Sequence, residues 1–162
     1  MPSQRFLPRL FSIAFLIWGI DFLTKNYALT HFSYPPQKII GTFLQFTLVR
    51  NPGAAFNFAT GATLILTLFA IAVGVTIIRY APRITSAGWA IVGALVLGGI
   101  CGNLTDRFFR DPGFMRGYVI DWIQLPHWPV FNIADSAIVI AACIATVLTM
   151  RNISPVAKAP QE

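Results

Sequence analysis

Two aspartates near the end of the chain, in the stretch VIDWIQLPHWPVFNIADSAIVI, are of a type and spacing that could do chemistry. Asp121 and Asp135 are flanked by apolar and aromatic residues, and a loop containing prolines separates them. The chain has only five Asp and one Glu among its 162 residues. Two of these rare acids therefore stand beside the start of an apolar run, and their position needs a chemical reason.

Two carboxylates in one small, partly dry site cannot both ionise easily, so the pair holds a single proton near neutral pH. One carboxylate can then activate a water molecule while the other protonates or polarises a carbonyl group. Which of the two carries the proton stays open, because a coupled pair titrates as a unit. Asp121 and Asp135 are the candidate catalytic residues for acid–base peptide hydrolysis, and neither His lies in a recognisable nucleophile motif.

Helix capping is a simpler explanation for one of the two acids. Asn132 followed by Asp135 three residues later fits a variant of the capping box at a helix start. Taken alone, Asp135 would be assigned to capping. Capping does not explain a second carboxylate within VIDWI, so Asp121 favours the catalytic interpretation.

The remaining acids within apolar segments also have structural explanations. Asp21 and Lys25 are four residues apart and can pair along one helix face, with a supporting role for the site as well. Asp106 and Arg107 end an apolar segment, where the helix dipole favours a basic residue. Arg107 could pair with Asp106 or hold a loop over the site.

The composition predicts a mainly α-helical integral membrane protein. The chain is 56% hydrophobic and only 11% charged, whereas soluble domains are about 25% charged. The net charge of +6 would suit a nucleic-acid binder, but the basic residues lie at the ends of apolar segments. That distribution is typical of membrane topology and contact with anionic lipid headgroups, so no nucleic-acid partner is expected.

Cysteine and histidine give no sign of a metal or a disulfide. Cys101 and Cys143 lie within apolar runs, and no CxxC spacing or Cys/His cluster accompanies them. His31 and His127 are far apart in the sequence. A two-metal carboxylate site has little support without His at ligand spacing, so we expect neither metal nor cofactor.

Membrane spans need about 20 mainly apolar residues, and the sequence offers four of them. They lie at about 10–29, 62–80, 87–105 and 131–150. The first follows a basic start, as in a signal peptide, but no small-residue cleavage site follows, so we expect an uncleaved helix. The third is rich in glycine, which allows close approach between helices in lipid.

The basic residues indicate the orientation of these spans. Six lie in the N-terminal arm, the short loop after the second span and the C-terminal tail: Arg5, Arg9, Arg79, Arg83, Arg151 and Lys158. Five are spread over the two much longer segments 30–61 and 106–130: Lys38, Arg50, Arg107, Arg110 and Arg116. Their density favours both termini in the cytoplasm and the long segments outside.

Alternation of the spans brings most of the acids to one membrane face. Asp21 is in the later half of the first span, Asp106 ends the third, and Asp121 and Asp135 flank the start of the fourth. This convergence follows from the order of the spans and does not depend on which face is outside. Ionisable residues at such positions are costly and commonly functional.

The long segments contain some structure of their own. The run TFLQFTLVRN predicts a short strand or hairpin that ends at the turn Asn51-Pro52-Gly53. The following AAFNFA suggests a segment on the membrane surface. Residues 151–162 form a tail for which we expect disorder.

Five motifs in sequence make the chain resemble the lipoprotein signal peptidase (signal peptidase II) family of bacterial membrane aspartyl proteases. They are DFLTK at 21–25, NPGAAF at 51–56, GICGNLTDR at 99–107, VID at 119–121 and FNIAD at 131–135. The resemblance covers nearly the whole chain except the N-terminal arm and the C-terminal tail. The connection QLPHWPV before the last motif looks short for the family.

The resemblance implies a fold, an activity and a set of site residues. The fold is four transmembrane helices with a small external β-cradle and a surface helix. The activity is cleavage of prolipoproteins on the amino side of a diacylglyceryl-modified cysteine in the bacterial inner membrane, and cyclic peptides such as globomycin inhibit it. Asp121 and Asp135 fall on the catalytic positions. Residues expected to line or support the substrate groove are Asn51, Gly53, Asn103, Asp106, Arg107, Asn132, Asp21 and Lys25.

Two other functions use the same features. A small proton- or ion-coupled transporter also needs intramembrane Asp and Lys, but it predicts charges near the midplane and often inverted repeats. No repeat is visible, and the acids cluster at one face. A lipid-binding scaffold without catalysis explains the aromatic residues but not the pair of aspartates.

Overall fold

The computed structural model describes residues 4–53 and 61–156. The elements follow one another as α1 (Leu7–His31), β1 (Gln37–Ile40), β2 (Leu44–Asn51), α2 (Gly61–Tyr80), α3 (Ala87–Phe109), β3 (Val119–Gln124) and α4 (Ile133–Met150). Short 3-10 turns precede α1 at Gln4–Phe6 and follow α2 at Ala81–Arg83. The surface segment predicted at 54–59 lies outside the described residues.

The four helices are each long and apolar enough to cross a membrane. This finding confirms the prediction of a mainly α-helical membrane protein with four spans and a small sheet. The third helix continues beyond the predicted end at residue 105 to Phe109, so Asp106 and Arg107 belong to its last turns. Asn132 caps α4, which begins at Ile133.

Glycines of α3 allow two other helices to approach its backbone. A Cβ at Gly98 would lie 2.7 Å from the carbonyl oxygen of Ala14 in α1, and one at Gly99 would lie 2.6 Å from that of Ala134 in α4. A Cβ at Gly102 would collide with the carboxylate of Asp21. The run GGICG therefore makes α3 the central helix, against which α1 and α4 pack.

The apolar core and the buried polar groups occupy different ends of the helices. Leu10 and Ala14 of α1 pack with Ala94 and Leu97 of α3 and with Ala81. Asp21 and Lys25 of α1 and Asp106 of α3 are buried nearer the other ends of these two helices. The ends of α1 and α3 that carry these charges are the ends from which the chain enters the sheet.

The sheet has three antiparallel strands in the order β1-β2-β3. β2 pairs with β3 so that Val49 lies opposite Asp121 and Asn51 opposite Val119. Aromatic rings of Phe32, Phe46 and Trp122 contact one another and fix the sheet against the end of α1. The run TFLQFTLVRN, for which the sequence predicts a short strand or hairpin, forms the strand β2, and the partner strand β1 lies before this run. Asp121, which the sequence placed in a loop, lies within the strand β3.

The short connection between β3 and α4 folds back on the strand. The backbone N–H of Phe131 donates to the carbonyl oxygen of Ile123, at 3.0 Å, and the N–H groups of Ile123 and Trp122 donate to that of Phe131, at 2.8 and 3.0 Å. Asn132, the next residue, is thereby brought beside β3. So short a connection joins the two aspartates because it pairs with the strand that carries one of them.

The C-terminal tail differs in part from the sequence expectation of disorder. The carbonyl oxygen of Ile153 accepts a hydrogen bond from the indole N–H of Trp89, at 2.7 Å, and Val156 pairs with Ile84. These contacts hold residues 151–156 against the short loop between α2 and α3. The remaining residues, 157–162, lie outside the described part of the chain.

Candidate active site

Asp121 is a buried carboxylate in the central part of β3. Its side chain is 1% exposed, and both of its oxygens accept hydrogen bonds from amide side chains. The Nδ2 group of Asn132 donates to Oδ1 at 2.6 Å, and that of Asn51 donates to Oδ2 at 2.9 Å. These donors hold the carboxyl plane in one orientation.

Asp135 lies in the first turn of α4 and is half-buried. Its Oδ2 accepts the backbone N–H of Asn132 at 3.2 Å, and the side chain of Asn132 accepts the backbone N–H of Asp135 at 2.9 Å. The capping box expected from the sequence is thus present. Asn103 donates to Oδ1 of Asp135 at 2.9 Å. A carboxylate has about four acceptor positions, so this capping role leaves it able to bind a water molecule.

Asn132 connects the two aspartates directly. Its side-chain N–H donates to Asp121, while its backbone N–H donates to Asp135. It is fully buried, at 0% exposed, so its hydrogen bond to Asp121 is shielded from competing water. One residue therefore fixes the position of one carboxylate relative to the other.

The pKa of Asp121 is raised from its ordinary value to about 6. Burial is the main cause, because removal from water penalises the charged form, and the negative charge of Asp135 raises the pKa further. The hydrogen bonds from Asn51 and Asn132 act in the opposite direction. Asp121, the more deeply buried of the two carboxylates, thus has a pKa close to the pH at which many enzymes use a general acid.

Lys25 and its partners form a buried ion cluster next to the pair. The ammonium nitrogen lies 2.7 Å from an oxygen of Asp21 and 2.9 Å from an oxygen of Asp106. It also donates to the side-chain oxygen of Asn103 at 2.9 Å. The pairing of Asp21 with Lys25 expected from the sequence is present. Arg110, which pairs with the second oxygen of Asp106, completes the cluster.

Arg107 does not pair with Asp106, contrary to one of the two roles suggested for it. Its Nη1 group donates to the carbonyl oxygen of Gly117 at 2.8 Å and to that of Asn51 at 3.3 Å. These oxygens lie just before β3 and at the end of β2. Arg107 therefore holds two backbone segments of the sheet at the end of α3, in line with its second suggested role.

The turn Asn51-Pro52-Gly53 follows β2 at the edge of the site. The side-chain oxygen of Asn51 accepts the backbone N–H of Gly53 at 2.8 Å, so this amide both closes the turn and donates to Asp121. Gly53 has a φ of +100°, which side-chain-bearing residues rarely adopt. A glycine is required here to keep Asn51 in place.

Hydrogen bonds and ion pairs connect each residue expected at the site to Asp121 or Asp135, directly or through another of these residues. Arg110 was not expected, although its spacing of four residues from Asp106 is a signal for an ion pair on a helix. The backbone N–H groups of Ala134 and Ile120, which donate to Asp21 and Asp106, could not be identified from side-chain types. Among the described residues, no group of three or more His, Cys, Asp or Glu side chains is arranged to hold a metal ion.

Comparison with known proteins identifies the family. The family model described as signal peptidase (SPase) II matches residues 13–151. The chain belongs to the signal peptidase II family. A lipoprotein signal peptidase of Rhodococcus jostii is 46% identical over 147 residues, covering 90% of this chain and 74% of that protein. One of Streptomyces coelicolor is 43% identical over 154 residues, covering 94% and 76%.

Signal peptidase II proteins are aspartic-type proteases, and this membership gives no support to the transporter hypothesis. A solved structure of a bacterial membrane enzyme is similar in fold, with a TM-score of 0.81 and 23% sequence identity. The similarity covers 94% of this chain and 99% of that one. The helical bundle with its small sheet is therefore an architecture already seen in a membrane enzyme.

The environment of Asp121 can be tested by titration. In ¹³C spectra of the aspartate-labelled protein, the carboxyl signal absent from Asp121→Asn should titrate with a midpoint of about 6. Asn51→Ala should move this midpoint to higher pH, because a donor that stabilises the ionised form is lost. Gln45→Ala, at the far end of β2, should leave it unchanged. A midpoint near the ordinary value of 3.8, or no effect of Asn51→Ala, would contradict the described environment.

Proposed function

We propose that this chain is an endopeptidase that removes the signal peptide from diacylglyceryl-modified prolipoproteins, with Asp121 and Asp135 as its catalytic residues. Cleavage occurs on the amino side of the lipidated cysteine. Membership of the signal peptidase II family supports the reaction class. The observation that carries the residue assignment is the pair of carboxylates on β3 and α4, both hydrogen-bonded to the single buried residue Asn132.

In the proposed reaction the two carboxylates have different roles. Asp135 is half-buried, and in its ionised form it takes a proton from the attacking water. Asp121 is buried and holds its proton to higher pH than an ordinary aspartate, so it donates a hydrogen bond to the carbonyl oxygen of the scissile peptide bond. Bound substrate would exclude further water and raise the pKa of Asp121 again. The water oxygen bonds to the carbonyl carbon, and as the scissile C–N bond breaks, Asp135 donates the proton it took from water to the leaving cysteine nitrogen.

The supporting residues act by holding these two carboxylates in place. Asn51 and Asn132 donate to Asp121, and Asn103 donates to Asp135. Arg107 holds the backbone of Asn51 and thereby the end of β2. Fixed donors of this kind keep catalytic groups within the small range of geometry that a reaction requires.

A lipid-modified substrate fits the surroundings of the site. A cavity of about 140 Å³ lies between α2 and α3, and Leu66, Ala70, Leu104 and Val119 line it beside Asn103 and Arg107. Further along α2, the exposed apolar side chains Phe69, Val75 and Ile78 offer a surface on which the acyl chains of a diacylglyceryl group would be accommodated. Cyclic peptides such as globomycin are expected inhibitors, because they would occupy the same groove.

The orientation proposed for the chain places both termini in the cytoplasm and the sheet and the dyad at the outer face of the bacterial inner membrane. Two of the five basic residues in the long segments, Arg107 and Arg110, are engaged in the contacts around the site. These contacts explain why Arg107 and Arg110 are basic without any role in topology. When these two residues are set aside, the excess of basic residues near the termini and in the short loop over those in the long segments becomes larger.

Replacement of either aspartate tests the catalytic assignment. Asp121→Asn and Asp135→Asn should each reduce release of the signal peptide from a lipidated prolipoprotein by about 10²- to 10⁴-fold, because each removes a proton-transfer group. The reaction is followed by mass spectrometry with purified protein in lipid. Asp111→Asn, which alters an exposed carboxylate, should cleave at the wild-type rate.

Substrate chemistry provides a further control for this experiment. A precursor in which serine replaces the cysteine that normally carries the lipid has no diacylglyceryl group and should remain uncleaved. Wild-type rates in either aspartate variant, with unchanged thermal unfolding, would refute the dyad. Equal cleavage of lipidated and unlipidated precursors would refute the proposed substrate class.

Cysteine labelling tests the orientation. In a background with Cys101 and Cys143 replaced by alanine, Thr42→Cys introduces a thiol in the turn between β1 and β2, and Thr85→Cys introduces one in the short loop. Both positions are exposed. A membrane-impermeant maleimide added to intact spheroplasts should label Thr42→Cys, and should label Thr85→Cys only after permeabilisation. The reverse pattern would mean that the chain is inserted the other way.

A further inference from the structure

We propose that Lys25 is a positioning residue that sets the separation between Asp121 and Asp135. It does so by contacting the side chains that hold the backbone before each of these two aspartates. This inference rests on the proposed function, since it concerns the same two carboxylates. It goes beyond a supporting role because it assigns a particular task to one ammonium group. The task follows from three contacts, of which two lead to Asp135 and one leads to Asp121.

The first contact leads to Asp135. Lys25 lies 2.7 Å from one oxygen of Asp21, and the other oxygen of Asp21 accepts the backbone N–H of Ala134 at 2.9 Å. Ala134 immediately precedes Asp135, and its N–H is one of those at a helix start that have no partner within the helix. The carboxylate of Asp21 supplies that partner. The position of the first turn of α4 is thereby fixed relative to Lys25.

The second contact leads to Asp121 in the same way. Lys25 lies 2.9 Å from Oδ2 of Asp106, and this oxygen accepts the backbone N–H of Ile120 at 3.2 Å. Ile120 immediately precedes Asp121 in β3. The two carboxylates next to Lys25 thus each hold the residue before a catalytic aspartate, one in the helix and one in the strand.

The third contact orients a donor to Asp135. The side-chain oxygen of Asn103 accepts a hydrogen bond from Lys25 at 2.9 Å, which leaves its N–H group to donate to Asp135 at 2.9 Å. A flipped amide would bring its N–H group towards the ammonium and its oxygen towards the carboxylate, and both contacts would be unfavourable. Lys25 therefore selects the amide orientation that supports Asp135. With these contacts three side-chain oxygens lie within 2.9 Å of the ammonium nitrogen.

Burial makes these contacts strong enough to fix positions. Lys25 is 1% exposed, Asp21 0% and Asp106 1%, so water does not compete for them. Lys25 and Arg110 balance the two carboxylates in charge. If only Lys25 is removed, the buried carboxylate of Asp21 has no cation beside it. If the charge on Asp21 is removed as well, the ion pair of Asp106 with Arg110 remains, and its charges balance.

Two variants separate positioning from folding. Lys25→Met removes the ammonium group, and the double variant Asp21→Asn/Lys25→Met also restores charge balance while keeping an acceptor for Ala134. If Lys25→Met does not fold, the double variant carries the test. We expect kcat for the lipidated prolipoprotein to fall by about a hundredfold, since a displaced catalytic group has an effect of that size. KM should change by less than about threefold, because Lys25 is 1% exposed and offers almost no surface to a substrate.

A matched control comes from another polar contact between the same helices. Thr105→Val removes the hydrogen bond that the Trp18 indole N–H donates to Thr105 at 2.9 Å, next in sequence to Asp106 but without contact to the dyad. The kcat of Thr105→Val should equal that of the wild type at a temperature where both the variant and the wild type are folded. An equal fall of kcat in Thr105→Val, or wild-type kcat in the folded double variant, would overturn the positioning role.

Hydrogen exchange gives a readout that does not depend on activity. The amides of Ile120 and Ala134 should exchange at least about tenfold faster in the double variant, because the Asp106 carboxylate and the amide side chain at position 21 are no longer held by an ammonium group. They should be unchanged in Thr105→Val. Unchanged exchange at both amides would overturn the proposal. If the wild type failed to cleave lipidated precursors, the proposed function would fall, and the exchange data would still decide whether Lys25 holds these two segments.

Discussion

An ammonium group buried between carboxylates is the interaction on which the rest of this structure depends. Lys25 joins α1 to α3 through Asp106 and reaches α4 and β3 through the carboxylates beside it. Loss of one partner from a buried ion pair leaves an uncompensated charge, which costs about 3–5 kcal/mol. The helices therefore cannot shift independently at this end of the bundle, and the sheet is joined to them.

The glycines of α3 make this cluster possible. Without a Cβ at Gly102, Asp21 can pass close to α3 and reach the backbone of α4 while it pairs with Lys25 of its own helix. At the opposite end Leu10 and Ala14 of α1 pack against Ala94 and Leu97 of α3. One end of the bundle thus supplies stability within lipid, and the other carries the polar groups that a hydrolytic reaction requires. This division suits a protease whose substrate is anchored in the membrane.

Much of the architecture could be predicted from the sequence because lipid imposes a simple rule on it. Long apolar runs fixed the number of helices, and their alternation predicted that Asp21, Asp106 and Asp135 would share one face. The strand β3 could not be recognised, since Val119–Trp122 are all buried and show no polar alternation. Two partners of Asp106, Lys25 and the backbone N–H of Ile120, belong to other elements and could not be predicted from spacing, whereas the spacing of Arg110 was a signal. Neighbouring residues on a helix point in different directions, so Arg107 turns to the sheet while Arg110 reaches back to Asp106.

The capping and catalytic interpretations of Asp135 were alternatives in the sequence, and the structure makes them compatible. The same hydrogen bonds that start α4 bring Asn132 within reach of Asp121. A helix start is a rigid place from which to present a carboxylate, because its backbone is fixed by the turns that follow. The capping box therefore helps to define the geometry of the pair.

The most direct test of the proposed dyad of Asp121 and Asp135 is an experimental structure of the protein in lipid. It should be determined below pH 6 at a resolution that defines ordered water. One water molecule should lie within hydrogen-bonding distance, about 2.6–3.2 Å, of both the Asp121 and Asp135 carboxylates. Carboxylates too far apart to share a water molecule, or pointing away from each other, would contradict the proposed dyad.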